Sequence, residues 1–193
     1  MLLAVQHAHQ KGVIHRDLKP SDILVSPHDG KPVIKVIDFG IAKAMEPGLT
    51  PRAAVTGVGQ MLGTPQYMSP EQAEVNSRDV DTRSDLYSLS IVLYELLTGR
   101  TPLDGRQLRG TDGVGIQRLI REQEPAKPSA KYGTLEAGER TAVARRRGAE
   151  PAKLAGLLRG DLDRARLRDT VMETIESPDG VNEEIHYLFR VFQ

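Results

Sequence analysis

Apolar residues recur at helical spacing most insistently at Leu86, Leu89, Leu93, Leu96 and Leu97, while Ile91, Val92 and Tyr94 fill the other faces. A segment apolar nearly all round predicts a buried helix. Thr82 and Ser84 offer N-caps, Asp85 lies in or beside the first turn, and Gly99 and Pro102 end the run. Leu2, Leu3, Val5 and Ala8 or His9 mark one face of an earlier helix that stops at Gly12. A third helical pattern lies between Leu103 and Glu124, through Ile116, Leu119 and Ile120, until Pro125 and Pro128 break it.

Strand composition is confined to Ile23-Leu24-Val25 and Val33 to Ile37, joined by the turn-rich Ser26-Pro27-His28-Asp29-Gly30. A hairpin is the natural reading. It brings its two ends together, so Asp17 before the first strand and Asp38 after the second converge with Lys19 on one side. Two carboxylates and an ammonium so placed suit a divalent metal, a phosphate and a proton acceptor. The pattern as a whole predicts an α+β fold that is mainly α, with one small β hairpin.

Several segments read as loop. Ile41 to Gln60 is rich in Gly, Pro, Thr and Ala, as a surface loop is. Gly57-Val58-Gly59 and Gly113-Val114-Gly115 are the nearest approaches to a phosphate-cradling glycine loop. Neither continues as Gly-x-Gly-x-x-Gly or follows a convincing strand, so both read as flexible loop. Arg140 to Arg147, with its Arg145-Arg146-Arg147 run, reads as a solvated helix face, with a docking patch as the second reading.

Bulk properties narrow the function. The 193 residues fit one domain, and 26 basic residues balance 26 acidic ones, so no global field steers the chain to nucleic acid or an acidic membrane. Cysteine is absent, which removes disulfides and thiolate metal sites. No apolar run approaches the roughly 20 residues of a membrane span, and the N-terminus lacks a secretory pattern. A cytoplasmic chain is expected.

His15-Arg16-Asp17-Leu18-Lys19-Pro20 followed by Asp38-Phe39-Gly40 resembles the catalytic loop and metal-binding triplet of serine/threonine protein kinases. Gly63-Thr64-Pro65-Gln66-Tyr67-Met68-Ser69-Pro70-Glu71 is similar to the end of the activation segment in bacterial kinases of the eukaryotic type. The resemblance implies ATP and Mg2+ as cofactors and a protein with a Ser or Thr hydroxyl as partner. It implies that Asp17 accepts or orients the hydroxyl proton, that Lys19 sits near the transferred phosphoryl group, and that Thr64 lies beside both. Asp38 and Asp22 would hold magnesium, and Leu24 would form part of the adenine floor. His15 and Phe39 would belong to the packed column that aligns the two lobes, and Gly40 completes the triplet. Asp85 would hydrogen-bond the catalytic-loop backbone, and Glu71 would pair with an arginine of a later helix. Thr50 and Thr56 are candidate phosphosites whose phosphate would pair with Arg16.

The resemblance covers residues 1–163 as a kinase-like C-lobe, still legible at Gly160-Asp161-Leu162-Asp163. The glycine-rich strand-turn, strand lysine and helix glutamate of an N-terminal β lobe are missing from the pattern. Residues 164–193 read as a divergent tail, from Arg164-Ala165-Arg166 to Val191-Phe192-Gln193. If no arginine there reaches Glu71, the broken pair costs about 3–5 kcal/mol. Two further departures lie inside the matched region. Ser90 stands where the family usually has Gly, a small-for-small change. Asp22 stands where the family has Asn, which keeps an oxygen, loses an NH2 donor and adds a negative charge.

Three functional expectations follow. The first is a kinase catalytic fragment that is inactive alone, with Asp22 reducing transfer and making the site's order metal-dependent. The second is a pseudokinase-like binding module, and the third a truncated or frame-disrupted reading frame.

Overall fold

The computed structural model describes residues 2–39, 55–56, 60–61, 64–74 and 80–163. The chain divides into two compact units, Met1–Val92 with Gly105–Gln123 and Leu93–Asp104 with Glu124–Gln193. Gly40, Thr50, Gly57 to Gly59 and the tail 164–193 lie outside the described residues, as does the side chain of Thr56.

In the first unit, helix α1 (Leu2–Gln10) ends where the Gly12 N–H donates to the His9 carbonyl at 2.9 Å, with Gly12 at φ +73°. That left-handed stop is the one expected of a glycine. Val5 is buried with Leu18 and Leu89, against Val36 and Leu86. Leu3, read as part of the same face, is 65 % exposed: one buried helix stripe has room for Val5, and Leu3 falls outside it.

The hairpin pairs β1 (Ile23–His28) with β2 (Lys31–Val36) in antiparallel register, from Ile23 opposite Val36 to His28 opposite Lys31. Its turn is tighter than the sequence suggested. Ser26, Pro27 and His28 belong to the strand, leaving Asp29 and Gly30 at φ +51° and +75° as a two-residue turn. Asp-Gly is the pair that such a turn favours, because both central residues take positive φ. Within the stretch read as loop, β3 (Val55–Thr56) and β4 (Gln60–Met61) form a second, minimal antiparallel pair.

Helix α2 (Thr82–Thr98) is the long apolar helix. Its cap is Asp81 rather than Thr82 or Ser84, since the Arg83 backbone N–H donates to Asp81 Oδ1 at 2.8 Å. Ser84 is instead buried inside the first turn. The helix supplies Leu86 and Leu89 to the first unit and Leu93 and Leu97 to the second. Only Leu96 of its leucine run faces out, at 53 % exposure. Two shorter helices complete the first unit, α3 (Gly105–Leu108) and α4 (Gly113–Glu122). Gly113-Val114-Gly115 is the opening turn of α4 and not a loop, because Asp112 caps it by accepting the Gly115 N–H at 2.7 Å.

The second unit contains α5 (Pro128–Gly133), α6 (Ala137–Arg145) and α7 (Pro151–Leu157), followed by a wide turn, Leu158–Leu162. Proline in the first turn suits α5 and α7, where its missing N–H costs nothing. Tyr132, Leu135, Val143, Ala144, Leu154 and Leu158 close the core on Leu97. Asp163 is fastened to the start of α5, accepting the Ser129 N–H at 3.0 Å and the Ser129 hydroxyl. The arginine run divides: Arg145 and Arg146 are exposed, whereas Arg147 is half-buried and donates from Nη1 to the Val143 carbonyl at 3.0 Å. Burial lowers the pKa of the Arg147 guanidinium.

Candidate active site

The loop between α1 and the hairpin carries Asp17, and most of its hydrogen bonds hold the backbone on either side. Arg16 sits at φ +69°, a left-handed conformation that costs a non-glycine residue on the order of 1 kcal/mol. Three long-range contacts hold it there. Asp85, buried near the start of α2, accepts the Arg16 N–H on Oδ1 at 2.7 Å and the His15 N–H on Oδ2 at 2.8 Å. Gln72 donates from Nε2 to the Arg16 carbonyl. Leu18, next to Asp17, is anchored in the core of the first unit.

Two further bonds extend this frame. His9 of α1 donates from Nε2 to Asp85 Oδ2 at 2.8 Å. Gln72 is held in turn by Ser69, whose backbone N–H donates to Gln72 Oε1 at 3.1 Å. The hairpin's far end is tied back to the same loop. His15 Nε2 donates to the Ile37 carbonyl at 2.8 Å, and the His15 ring lies 4.9 Å from that of Phe39. The Ile37 N–H donates to the Asp22 carbonyl at 2.9 Å. Asp38, one residue on, is at φ +59°.

One carboxylate meets the Lys19 ammonium directly, and two others act on it through their charge. Lys19 Nζ donates to Asp17 Oδ2 at 2.7 Å, with both side chains partly open to solvent. The Lys19 pKa is raised first by that hydrogen bond, against the opposing effect of burial, and then by the charges of Asp17, Asp22 and Asp38. Asp22 is 5 % exposed; Ser21 Oγ donates to its Oδ1 at 3.1 Å, and no donor among the described residues reaches Oδ2.

No cluster of three or more Asp, Glu or His among the described residues closes a metal cage. Magnesium does not require one, since it commonly takes one or two protein carboxylates and completes its shell with phosphate oxygens and water. Asp22 Oδ2, buried and without a donor among the described residues, is an oxygen that could hold such a cation, and the Asp38 carboxylate is a second candidate.

The other candidates take definite places. Glu71 Oε1 accepts the Ser84 hydroxyl at 2.9 Å, a partner in the first turn of α2 that the sequence did not suggest. Thr64 precedes the short turn Pro65–Tyr67, its carbonyl accepting the Tyr67 N–H at 3.0 Å. Leu24 is exposed on β1. Ser90 turns its hydroxyl onto the Leu86 carbonyl at 2.9 Å, within its own helix.

The aspartate loop, the hairpin and the Lys19–Asp17 bond are local parts that the kinase-like motifs call for. Known proteins agree with this. The protein kinase domain matches residues 1–140, and the chain belongs to that family. It is 42 % identical over 132 residues to the serine/threonine-protein kinase pkn3 of Myxococcus xanthus, covering 68 % of this chain and 23 % of that protein. It is also 42 % identical over 134 residues to the serine/threonine-protein kinase PknB of Mycobacterium tuberculosis, covering 69 % of this chain and 19 % of that one. The chain thus spans about a fifth of the length of these relatives. No helix among the described residues is long and apolar enough to cross a membrane.

Proposed function

We propose that the chain is the catalytic-loop lobe of a cytoplasmic serine/threonine protein kinase, which together with a nucleotide-covering lobe transfers the γ-phosphoryl group of Mg-ATP to Ser or Thr hydroxyls of a protein. The observation that carries this reading is the Lys19 ammonium, hydrogen-bonded to Asp17 and lying in the field of Asp22 and Asp38. Asp17 orients the substrate hydroxyl and takes its proton, with Lys19 holding the carboxylate and facing the phosphoryl group. Asp22 and Asp38 hold magnesium, which when bound neutralises charge on the phosphates. Thr64 sits at the substrate hydroxyl, and Leu24 forms the adenine floor. His15 and Phe39, in ring contact, continue the column that aligns the lobes, and Gly40 is the last residue of the metal-binding triplet. Phosphate on Thr50 or Thr56 pairs with Arg16 and orders the segment between them and Glu71.

Phosphoryl transfer also needs a lysine-glutamate pair and a glycine-rich cover, and no Gly-x-Gly-x-x-Gly occurs within the 193 residues. The isolated chain therefore turns over negligibly. The test compares the chain alone with the chain joined to the nucleotide lobe of a related kinase, reading phosphate transfer from labelled ATP to a Ser/Thr peptide library. Transfer by the joined protein and its loss in Asp17→Asn support the assignment. A joined, folded protein that binds ATP without transferring phosphate favours the second reading, an inactive binding module, for which Asp22 in place of the family's Asn is the specific motive.

A further inference from the structure

We propose that Asp22 makes the pocket a divalent-cation site that fills without nucleotide. The inference rests on the assignment of Asp22 and Asp38 as the metal donors and adds that the protein alone suffices to recruit the ion.

Charge is the first ground. Three carboxylates, those of Asp17, Asp22 and Asp38, act on the single ammonium of Lys19. Lys19 is in contact with one of them, Asp17, at 2.7 Å. Among the described residues no cation forms an ion pair with Asp22 or Asp38. The pocket therefore carries an excess of negative charge before any phosphate arrives.

Burial is the second. Asp22 is 95 % buried, and the one described hydrogen bond to its carboxylate, from Ser21 Oγ, engages Oδ1. Oδ2 has no donor among the described residues. A buried carboxylate oxygen without a donor is unfavourable, and a hard cation relieves it directly. An asparagine here offers one acceptor and an NH2 group with no charge, so it depends on the phosphates to bring the ion in.

Rigidity is the third. The Asp22 backbone is held on both sides, its N–H donating to the Lys19 carbonyl at 3.0 Å and its carbonyl accepting the Ile37 N–H at 2.9 Å. On that held backbone, burial and the Ser21 bond restrict the carboxylate before binding, so less order has to be gained when the ion enters. The donors are oxygen only, which selects Mg2+ or Mn2+ over the softer transition ions.

The test titrates the nucleotide-free 193-residue chain with Mn2+, reading free ion by its electron paramagnetic resonance signal and stability by thermal melting. The expected result is one Mn2+ per chain at sub-millimolar Kd, displaced by Mg2+, with a rise in melting temperature. Asp22→Asn should weaken uptake at least tenfold and abolish the Mn2+-induced rise while melting no lower than wild type without metal. Asp29→Asn, at the exposed hairpin tip, should behave as wild type. Equal uptake by wild type and Asp22→Asn, or no uptake by wild type, overturns the inference. Phosphate transfer by the lobe-complete protein reads the underlying assignment separately: transfer that needs Asp38, without nucleotide-free uptake, sinks this inference alone.

Discussion

The buried carboxylate of Asp85 accepts the backbone N–H of Arg16 at 2.7 Å across 69 positions of sequence. It accepts His15 N–H as well, so one side chain of α2 holds two consecutive peptide groups of the aspartate loop. Arg16 needs that help, because its left-handed φ is otherwise unfavourable.

Asp85→Ala is expected to lose roughly 2–6 kcal/mol, since it strands two N–H groups at about 1–3 kcal/mol each. His9→Ala removes a single donor from the same carboxylate, and its cost should be near the lower end of that range. Urea denaturation of both variants checks the order. Equal stabilities of wild type and Asp85→Ala would show that the loop holds its shape unaided.

Gln72→Ala tests the next peptide group along, the one that joins Arg16 to Asp17. The amide reaches the Arg16 carbonyl and is itself anchored on Ser69. About 1 kcal/mol of stability should go with it. Phosphate transfer by the lobe-complete protein should fall further than that stability loss alone explains, because Arg16 precedes Asp17 directly. A Gln72→Glu variant keeps the shape and replaces the donor with an acceptor, so it should lose at least as much.

Much of the local framework was legible in the chain. Asp29-Gly30 specifies its own turn, and the family motif names Asp17, Lys19 and Asp38 together. Pro27 inside a strand was not legible, because the hairpin pairing overrides its composition. Gly113-Val114-Gly115 reads as loop until Asp112 is seen to cap it. Leu3 was misassigned because an apolar helix offers more than one plausible stripe, and only packing decides among them. His9 and Gln72 escaped for a different reason: their partners lie 76 and 56 positions away, and no periodicity reports a contact between chain-distant polar side chains.

Gly99 ends α2 under two constraints, φ +78° and a neighbour, Val143 Cγ2, that would lie 2.6 Å from any added Cβ. Gly99→Ala should therefore cost roughly 2–4 kcal/mol, the left-handed backbone contributing about 1–2 of it and the clash the remainder. Val143→Ala in the same chain should recover the clash portion and leave the backbone portion. A double-mutant cycle by thermal unfolding reads this as a favourable coupling; additive losses would rule out the close approach.

Tyr94 gives a pH dependence with a definite sign. Burial, and the charge of Asp163 after it, push its phenol well above its ordinary value of 10. The unfolded chain then releases this proton at a lower pH than the folded one, so stability falls as pH rises above 10. At pH 11 the penalty is about 1.4 kcal/mol. Tyr94→Phe escapes it but forfeits the 2.8 Å bond to the Ala126 carbonyl, worth about 1 kcal/mol. The variant should be the less stable at pH 7 and should match or overtake wild type near pH 11. Parallel stability curves across that interval would contradict the assignment.

Asp22→Asn in the lobe-complete protein separates charge from geometry at the metal position. Two carboxylates about 5 Å apart repel by roughly 3 kcal/mol at an effective dielectric near 20, and a bound ion offsets that repulsion. Asn removes the repulsion and restores a donor, so maximal transfer should rise. It also removes one anionic ligand, so half-maximal activity should need more Mg2+. The two changes run in opposite directions, which a general loss of folding cannot imitate. A Mg2+ titration of initial rates, wild type beside variant, reads both. If turnover and the Mg2+ requirement stayed where they were, the charge at position 22 would have no part in phosphoryl transfer.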